Sequence, residues 1–219
     1  MNRTLELTQD GSHTLFSHDL DEPYHSIHGA LQESQYVYIN QGFNHIKKSP
    51  LRILEIGFGT GLNLLLTLRE CEKLGISAHY HAVDKYPLVP SESENLNYEV
   101  TVPGISSGAL QKIHSAPWEM EFDLTHNFRI YKEQADFRTM KPKGEFDLVF
   151  FDAFSPDKQP ELWSTDVFSI IASVTNSGSI LVTYSSKGSV RKSLTTCGFK
   201  VTKVPGPPGK FEMVRAVRI

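Results

Sequence analysis

Cysteine is scarce. The chain carries Cys71 and Cys197 and no other, too few and too far apart for a metal-ligand pattern or a disulfide framework. Their scarcity suits a reducing compartment. No apolar run reaches the roughly 18 residues that a membrane span requires. The N-terminal MNRTLELTQDGSHTL also lacks the apolar centre of a secretory signal. The expectation is a cytoplasmic protein with no membrane partner. Excess charge is missing too: the net value is −3, which taken alone argues against a nucleic-acid partner.

What is present is ordinary in amount and uneven in placement. Hydrophobic residues make up 39% and charged residues 21% of the 219, the range of a soluble globular protein. A chain of this length buries roughly 70% of the surface its unfolded form exposes, so folding requires neither metal nor disulfide. From Lys187 to Ile219, however, there are eight Lys or Arg and one acid, Glu212, and the remainder is correspondingly acidic. Clustered cations of that kind form either a local phosphate-binding surface or a plain solvated face.

Residues 1–45 read separately from 46–219. LELTQDGSHTLFS alternates like a strand on both sides of an Asp-Gly turn, which predicts a hairpin. A polar stretch follows, then QYVYIN, readable as strand or helix. From Leu51 strands and helices alternate. LRILEIG reads as a strand and GLNLLLTLRECEKLG as a helix closed by Gly75. SAHYHAVDK reads as a strand, VPSESENLNYEV and SGALQKIHSAP as helices, and FRIYKEQ and FDLVFFDAF as strands. PELWSTDVFSIIASV (helix), SGSILVTYS (strand), GSVRKSLTTCGF (helix) and a terminal antiparallel pair around PGPPGK complete the pattern. Such alternation predicts an α/β fold with a parallel sheet covered on both faces, and ligands in these sheets sit beyond the C-terminal strand ends.

The stretch ILEIGFGTGLN, residues 53–63, lies at one such end. A glycine turn opening a helix exposes backbone N–H groups and lets a ligand approach closely. The spacing is Gly57-x-Gly59-x-Gly61, whereas the dinucleotide fingerprint would place its third glycine at position 62. Glu55 precedes the turn. A carboxylate there repels a pyrophosphate and suits a ligand with positive charge, such as the ammonium and sulfonium of S-adenosylmethionine. Asp84 closes the next strand, where a carboxylate can accept ribose hydroxyls. Asp136 follows FRIYKEQ, placed to accept the adenine amino group, with Phe137 available to stack. A single strand-end Asp is commonly a helix N-cap; several with a glycine turn at successive strand ends point to one nucleoside site.

FFDAFSPDKQPELW supplies a candidate reacting centre. Asp152 emerges from a buried strand, and Phe154 and Pro156 shape a short wall. The loop resembles the acid/Asn-Pro-Pro-aromatic loop of amino-methyltransferases. An attacking amine must align its lone pair with the methyl–sulfur bond, so an acceptor for its N–H groups is needed. A free alkylamine titrates near 10.4, so the carboxylate must also take a proton.

Taken together, DGSHTL, YHSIHGALQES with YVYI, LEIGFGTGLN, VDKYPL, FFDAFSPDKQPELW and YSSKGSVRKSLTTCGF resemble the methyltransferase half of a bacterial bifunctional enzyme. That enzyme finishes 5-methylaminomethyl-2-thiouridine at the tRNA wobble position. The resemblance covers residues 10–42 and most of 51–199. It implies a class I S-adenosylmethionine-dependent methyltransferase fold: Rossmann-like, with a mostly parallel seven-stranded sheet, a C-terminal antiparallel hairpin and an N-terminal β-hairpin extension. The implied reaction is methyl transfer from S-adenosylmethionine to the exocyclic amine of 5-aminomethyl-(2-thio)uridine, with no metal and no FAD. By motif position, Glu55, Gly57, Phe58, Gly59, Gly61 and Asn63 line the methionine part of the cofactor site. Asp84 with Lys85 holds ribose, Asp136 with Phe137 adenine, and Asp152 the target amine. Tyr24, Ser26 and Glu33 match a stretch that closes over cofactor and base. The implied partner is the tRNA anticodon stem-loop, met by Lys187, Arg191, Lys192 and Lys210 through phosphates. His25 and Tyr24 would stack on an extruded base, with Phe154 and Pro156 beside it.

Two departures qualify the likeness. Asp84 stands where the family has Glu, and Phe211 where a basic turn has Arg. An oxidoreductase half is expected to be absent from this chain, so either a separate enzyme supplies the aminomethyl group or the substrate arrives by another branch of the pathway. Three rivals remain open at this level: a methyltransferase of another amine, an aminopropyltransferase, and a non-catalytic S-adenosylmethionine-binding partner of an RNA-modifying enzyme.

Overall fold

The computed structural model describes residues 1–219. A three-stranded antiparallel sheet opens the chain: β1 (Arg3–Leu7), β2 (His13–Ser17) and β3 (Glu22–Pro23). The hairpin expected around Asp10-Gly11 is there, with Leu5 opposite Leu15. A short helix α1 (Ala30–Ser34) follows and runs into a π-helical turn, Gln35–Asn40, which settles the ambiguous QYVYIN as helical.

The main sheet has eight strands: β4 (Leu51–Ile56), β5 (Ala78–Asp84), β6 (Glu121–Thr125), β7 (Phe128–Gln134), β8 (Phe146–Phe151), β9 (Thr175–Thr183), β10 (Phe199–Pro205) and β11 (Glu212–Arg218). Their order is β10-β11-β9-β8-β4-β5-β7-β6. Strands β9, β8, β4, β5 and β7 are mutually parallel. β11 pairs antiparallel to β9, β10 to β11, and β6 to β7. The expected seven strands therefore become eight, because EFDLT was not read as a strand. Its alternation of Phe122 and Leu124 with acids was the available signal, weakened by the exposure of an edge position.

Helices fill the connections: α2 (Leu62–Leu74), α3 (Pro90–Ser93), α4 (Tyr98–Thr101), α5 (Ala109–Ser115), α6 (Thr165–Ser173) and α7 (Gly188–Thr196). The two long helices expected between β5 and β6 are instead three short ones. Helix α2 stops where expected, at a left-handed Gly75 (φ 65°). Its leucines 62, 64, 65, 66 and 68 are all 5% exposed or less. A helix apolar nearly all round must be covered on more than one side, and α2 is: the sheet lies on one face and the 35–40 turn on another.

Strand alternation divides the core. Ile53 of β4 and Leu148 and Phe150 of β8 join the cluster on the α2 face; Leu54, Ile56, Val149 and Phe151 join the opposite one, under α6 and α7. Residues Ala30, Val37, Tyr38, Ile39 and Phe43 belong to the first cluster. A domain boundary at residue 45 is thus not a boundary in the packing, since residues 30–45 form part of the layer that covers α2.

Candidate functional site

Beyond the C-terminal ends of β4, β5 and β8 lies a cavity of about 500 Å³, at the point where the crossovers leave β4 in opposite directions. The turn after β4 forms its floor. Gly57 has φ 91°, and a Cβ there would lie 2.4 Å from the Asp152 carbonyl oxygen. Gly59 has φ 50°, and a Cβ would press on the Tyr24 ring at 3.1 Å. Gly57 requires glycine for backbone shape and for space, and Gly59 favours it for its left-handed backbone.

Asp84, at the end of β5, braces this turn. Its carboxylate accepts the Gly59 N–H (2.8 Å) and the Tyr86 N–H (2.7 Å), and burial holds the group above the ordinary Asp range against those two donors. Asp136 lines the cavity farther along the sheet. It accepts from Arg138 Nε (2.9 Å) and Lys85 Nζ (3.0 Å), and the Arg138 bonds hold its carboxyl well below the usual range. Phe137 is buried behind it, in the core under α6.

Asp152 follows β8 and is half-buried in the cavity wall. Its Oδ2 accepts from Asn63 Nδ2 at 2.8 Å. Burial pushes its carboxyl up to about 7, opposed by the Tyr38 hydroxyl and Asn63 and reinforced by Glu33. The loop that carries it is tied down at successive residues. The Tyr184 hydroxyl donates to Ala153 O (2.9 Å), Trp163 Nε1 to Phe154 O (2.8 Å), and Ser155 N to Glu22 Oε2 (2.9 Å).

The N-terminal segment roofs the cavity. The Tyr24 ring meets Phe154 edge-on at 4.8 Å, and its hydroxyl accepts from Arg3 Nε (2.7 Å), which in turn pairs with Glu92. Glu33 accepts from Ser26 N (2.6 Å) and from Lys210 Nζ (2.5 Å). Lys210 also lies 3.8 Å from the centre of the Tyr184 ring. The tip of the β10–β11 hairpin is thereby clasped to α1 across the cavity mouth.

Of the residues singled out from sequence, Tyr24, His25, Ser26, Glu33, Gly57, Phe58, Gly59, Asn63, Asp84, Lys85, Asp136, Phe137, Asp152, Phe154 and Lys210 line this one cavity. Others do not. Glu55 is wholly buried on the α2 face, because strand alternation turns it inward alongside Ile53. Gly61 is the left-handed cap of α2. Pro156, Lys187, Arg191 and Lys192 lie outside the cavity lining. Lys187 is paired with Asp157, Arg191 Nε donates to Ser186 O, and Lys192 is exposed. His25 is also corrected: its ring is buried between Thr14 Oγ1 (3.0 Å) and Thr60 Oγ1 (3.4 Å), and burial drives its pKa down to about 4. It is a packed neutral histidine rather than a free stacking surface. Sequence reasoning missed Arg3, Glu22, Arg138, Trp163 and Tyr184, whose roles arise from contacts between distant segments.

The donor set fits a nucleoside ligand carrying an ammonium. Asn63 gives both amide hydrogens to carboxylates, so its buried Oδ1 is left without a partner beside the cavity. A buried acceptor in that state wants an N–H from whatever enters. Apolar residues supply much of the remaining lining, Ile56, Leu62, Val83 and Leu162 among them.

Comparison with known proteins agrees. A family profile described as S-adenosyl-L-methionine-dependent methyltransferase matches residues 109–219. The tRNA 5-methylaminomethyl-2-thiouridine biosynthesis bifunctional protein MnmC of Pseudomonas syringae pv. tomato is 32% identical over 93% of this chain and 33% of its own length. The chain spans about a third of the length of the curated relatives it matches. A spermidine synthase from Thermotoga maritima shares the fold at 13% identity, with a TM-score of 0.57 over 99% of this chain and 72% of its own. The solved MnmC2 of Aquifex aeolicus superposes with a TM-score of 0.84 at 30% identity, over 99% of this chain and 70% of its own. The profile spans just over half of the chain and this solved relative nearly all of it: the chain belongs to the S-adenosyl-L-methionine-dependent methyltransferase family.

Proposed function

We propose that this chain methylates the exocyclic amine of 5-aminomethyl-(2-thio)uridine at the tRNA wobble position, giving 5-methylaminomethyl-(2-thio)uridine. The observation that carries this reading is Asp152, a carboxylate fixed by Asn63 in the wall of the cavity that the Gly57 turn floors. When bound, S-adenosylmethionine supplies an electrophilic methyl group on a sulfonium. Asn63 Oδ1 would accept from its ammonium, the Gly57–Gly59 backbone would lie against it, Asp84 would accept from ribose, and Asp136 from the adenine amino group. Asp152 would receive the proton that the target nitrogen must lose, and its elevation to about 7 matches that task near neutral pH. Tyr24 and Phe154, meeting edge-on over the cavity, would hold the base.

The tRNA, its anticodon stem-loop and a separate enzyme supplying the aminomethyl group belong to this proposal as well. The test is nucleoside mass spectrometry on tRNA bearing 5-aminomethyl-2-thiouridine, incubated with the protein and methyl-labelled S-adenosylmethionine. One labelled methyl on that nucleoside, lost with Asp152→Asn, is the expected result. No transfer by a protein that binds the cofactor would return the substrate to another amine.

A further inference from the structure

Glu55 is placed unlike any other acid in the chain. It is the one acidic residue with no exposed surface. Strand β4 turns it under α2, into the core layer that also holds Ile53 and Leu148. Its Oε1 accepts one hydrogen bond, from Asn63 Nδ2 at 2.9 Å. Its Oε2 has no partner. The groups that face it are Asn63 from α2, Tyr80 from β5, and the carboxylates of Asp152 and Asp84 at neighbouring strand ends. It forms no ion pair, unlike the two next most buried glutamates: Glu33 holds Lys210 and Glu70 holds Arg69.

The same Asn63 amide nitrogen reaches Asp152 Oδ2 at 2.8 Å. Two carboxylates therefore share one neutral amide, with no cation bonded to the inner one. A dry carboxylate with one amide as its close donor and only the Tyr80 hydroxyl beside it is among the costliest groups a core can hold, and the ordinary relief is to keep its proton. Burial indeed pushes Glu55 far above the usual carboxylate range, with Asp152 adding to the effect.

We propose that Glu55 is a permanently uncharged carboxylic acid, a positioning residue that locks Asn63 so that, of the two carboxylates on that amide, Asp152 alone is the anion presented to the reacting amine. Glu55 then contributes shape and one hydrogen bond, not charge. The inference rests on the reading of Asp152 given above, but its first test needs no substrate. The strand-end acid before the glycine turn accordingly acts on its cofactor indirectly, through the amide it holds.

The first measurement is an infrared spectrum of the protein labelled at its glutamate carboxyl carbons, at about pH 8 where exposed glutamates are ionised. It is taken with and without S-adenosylmethionine. A protonated carboxyl stretch in both spectra, missing from Glu55→Gln, supports the proposal; its absence from the wild-type spectrum in either state overturns it. The labelled wild type is informative even where the variant fails to fold. The second measurement is the pH profile of turnover. Glu55→Gln should leave the acidic limb unmoved, since no charge is removed. A limb displaced to lower pH would show that Glu55 had been an anion repelling a second one, and would overturn the proposal whatever the substrate proves to be.

Discussion

At the scale of single residues, Asp152 sets two expectations of opposite kind. As the proposed proton acceptor it must be ionised, so turnover should rise with pH through about 7, the value to which burial lifts it. Asp152→Asn should lower turnover by about 10²- to 10⁴-fold and abolish that limb, while cofactor affinity measured by calorimetry stays close to wild type. Stability should move the other way. A carboxyl whose folded-state pKa is raised helps the fold below its unfolded value and loses that help as pH climbs through the folded one. Asp152→Asn should therefore melt with the wild type near pH 4 and above it once pH passes about 7. A variant that melts lower across that whole range would mean that the carboxylate is favourably placed and the burial argument is wrong. Gly57→Ala belongs here as well. Its Cβ would sit 2.4 Å from the Asp152 carbonyl oxygen at φ 91°, and a left-handed non-glycine backbone alone costs about 1–2 kcal/mol. The turn and Asp152 must shift together, so cofactor affinity and turnover should both fall; a variant with wild-type values for both would refute the close approach.

At the scale of elements, the clasp between α1 and the β10–β11 hairpin offers a pair of tests with opposite signs. Glu33 raises the Asp152 carboxyl and Lys210 lowers it. Lys210→Met should thus move the acidic limb of turnover to higher pH, and Glu33→Gln should move it to lower pH. Shifts in one common direction would mean that the clasp acts by shape alone. The elements also show what could be read from the chain and what could not. β4, α2 and β5 were legible because their signals are local: a buried apolar run, a glycine turn, and a helix stopped by Gly75. The acids Asp84, Asp136 and Asp152 were legible because a parallel sheet brings the ends of its strands to one side. Glu55 was misread for a reason equally local, since the period of two sends it to the α2 face rather than into the cavity. Strand β6 and the Arg3–Tyr24 and Trp163–Phe154 contacts were not legible. Nothing in a short exposed edge strand, or in an arginine 21 residues from its tyrosine, announces the partner that the fold will provide.

At the scale of the whole molecule, the basic C-terminal stretch proves less basic in space than in sequence. Lys187 pairs with Asp157, Lys203 with Glu212 and Lys210 with Glu33. Arg191, Lys192, Lys200, Arg215 and Arg218 take part in no ion pair, and Lys192 and Lys200 are exposed. With a net charge of −3 over the chain, any RNA must be held through a few phosphates and through the cavity itself, not by a broad cationic field. Each phosphate neutralised on a single strand contributes about 0.7 to the slope of log affinity against log salt, so Arg191, Lys192 and Lys200 together account for up to about 2 of that slope. Replacing Arg191, Lys192 and Lys200 together by Gln should flatten that slope and weaken anticodon stem-loop binding at low salt. Cofactor affinity should not change, because none of the three lines the cavity. A slope that survives the triple substitution would assign phosphate contact to Arg215 or Arg218, or to the paired lysines, which must then exchange Asp157, Glu212 or Glu33 for RNA. Where Lys210 is the lysine that exchanges, its clasp with Glu33 opens when substrate binds, and the acidic limb of turnover should be higher in the presence of bound tRNA than with a free nucleoside.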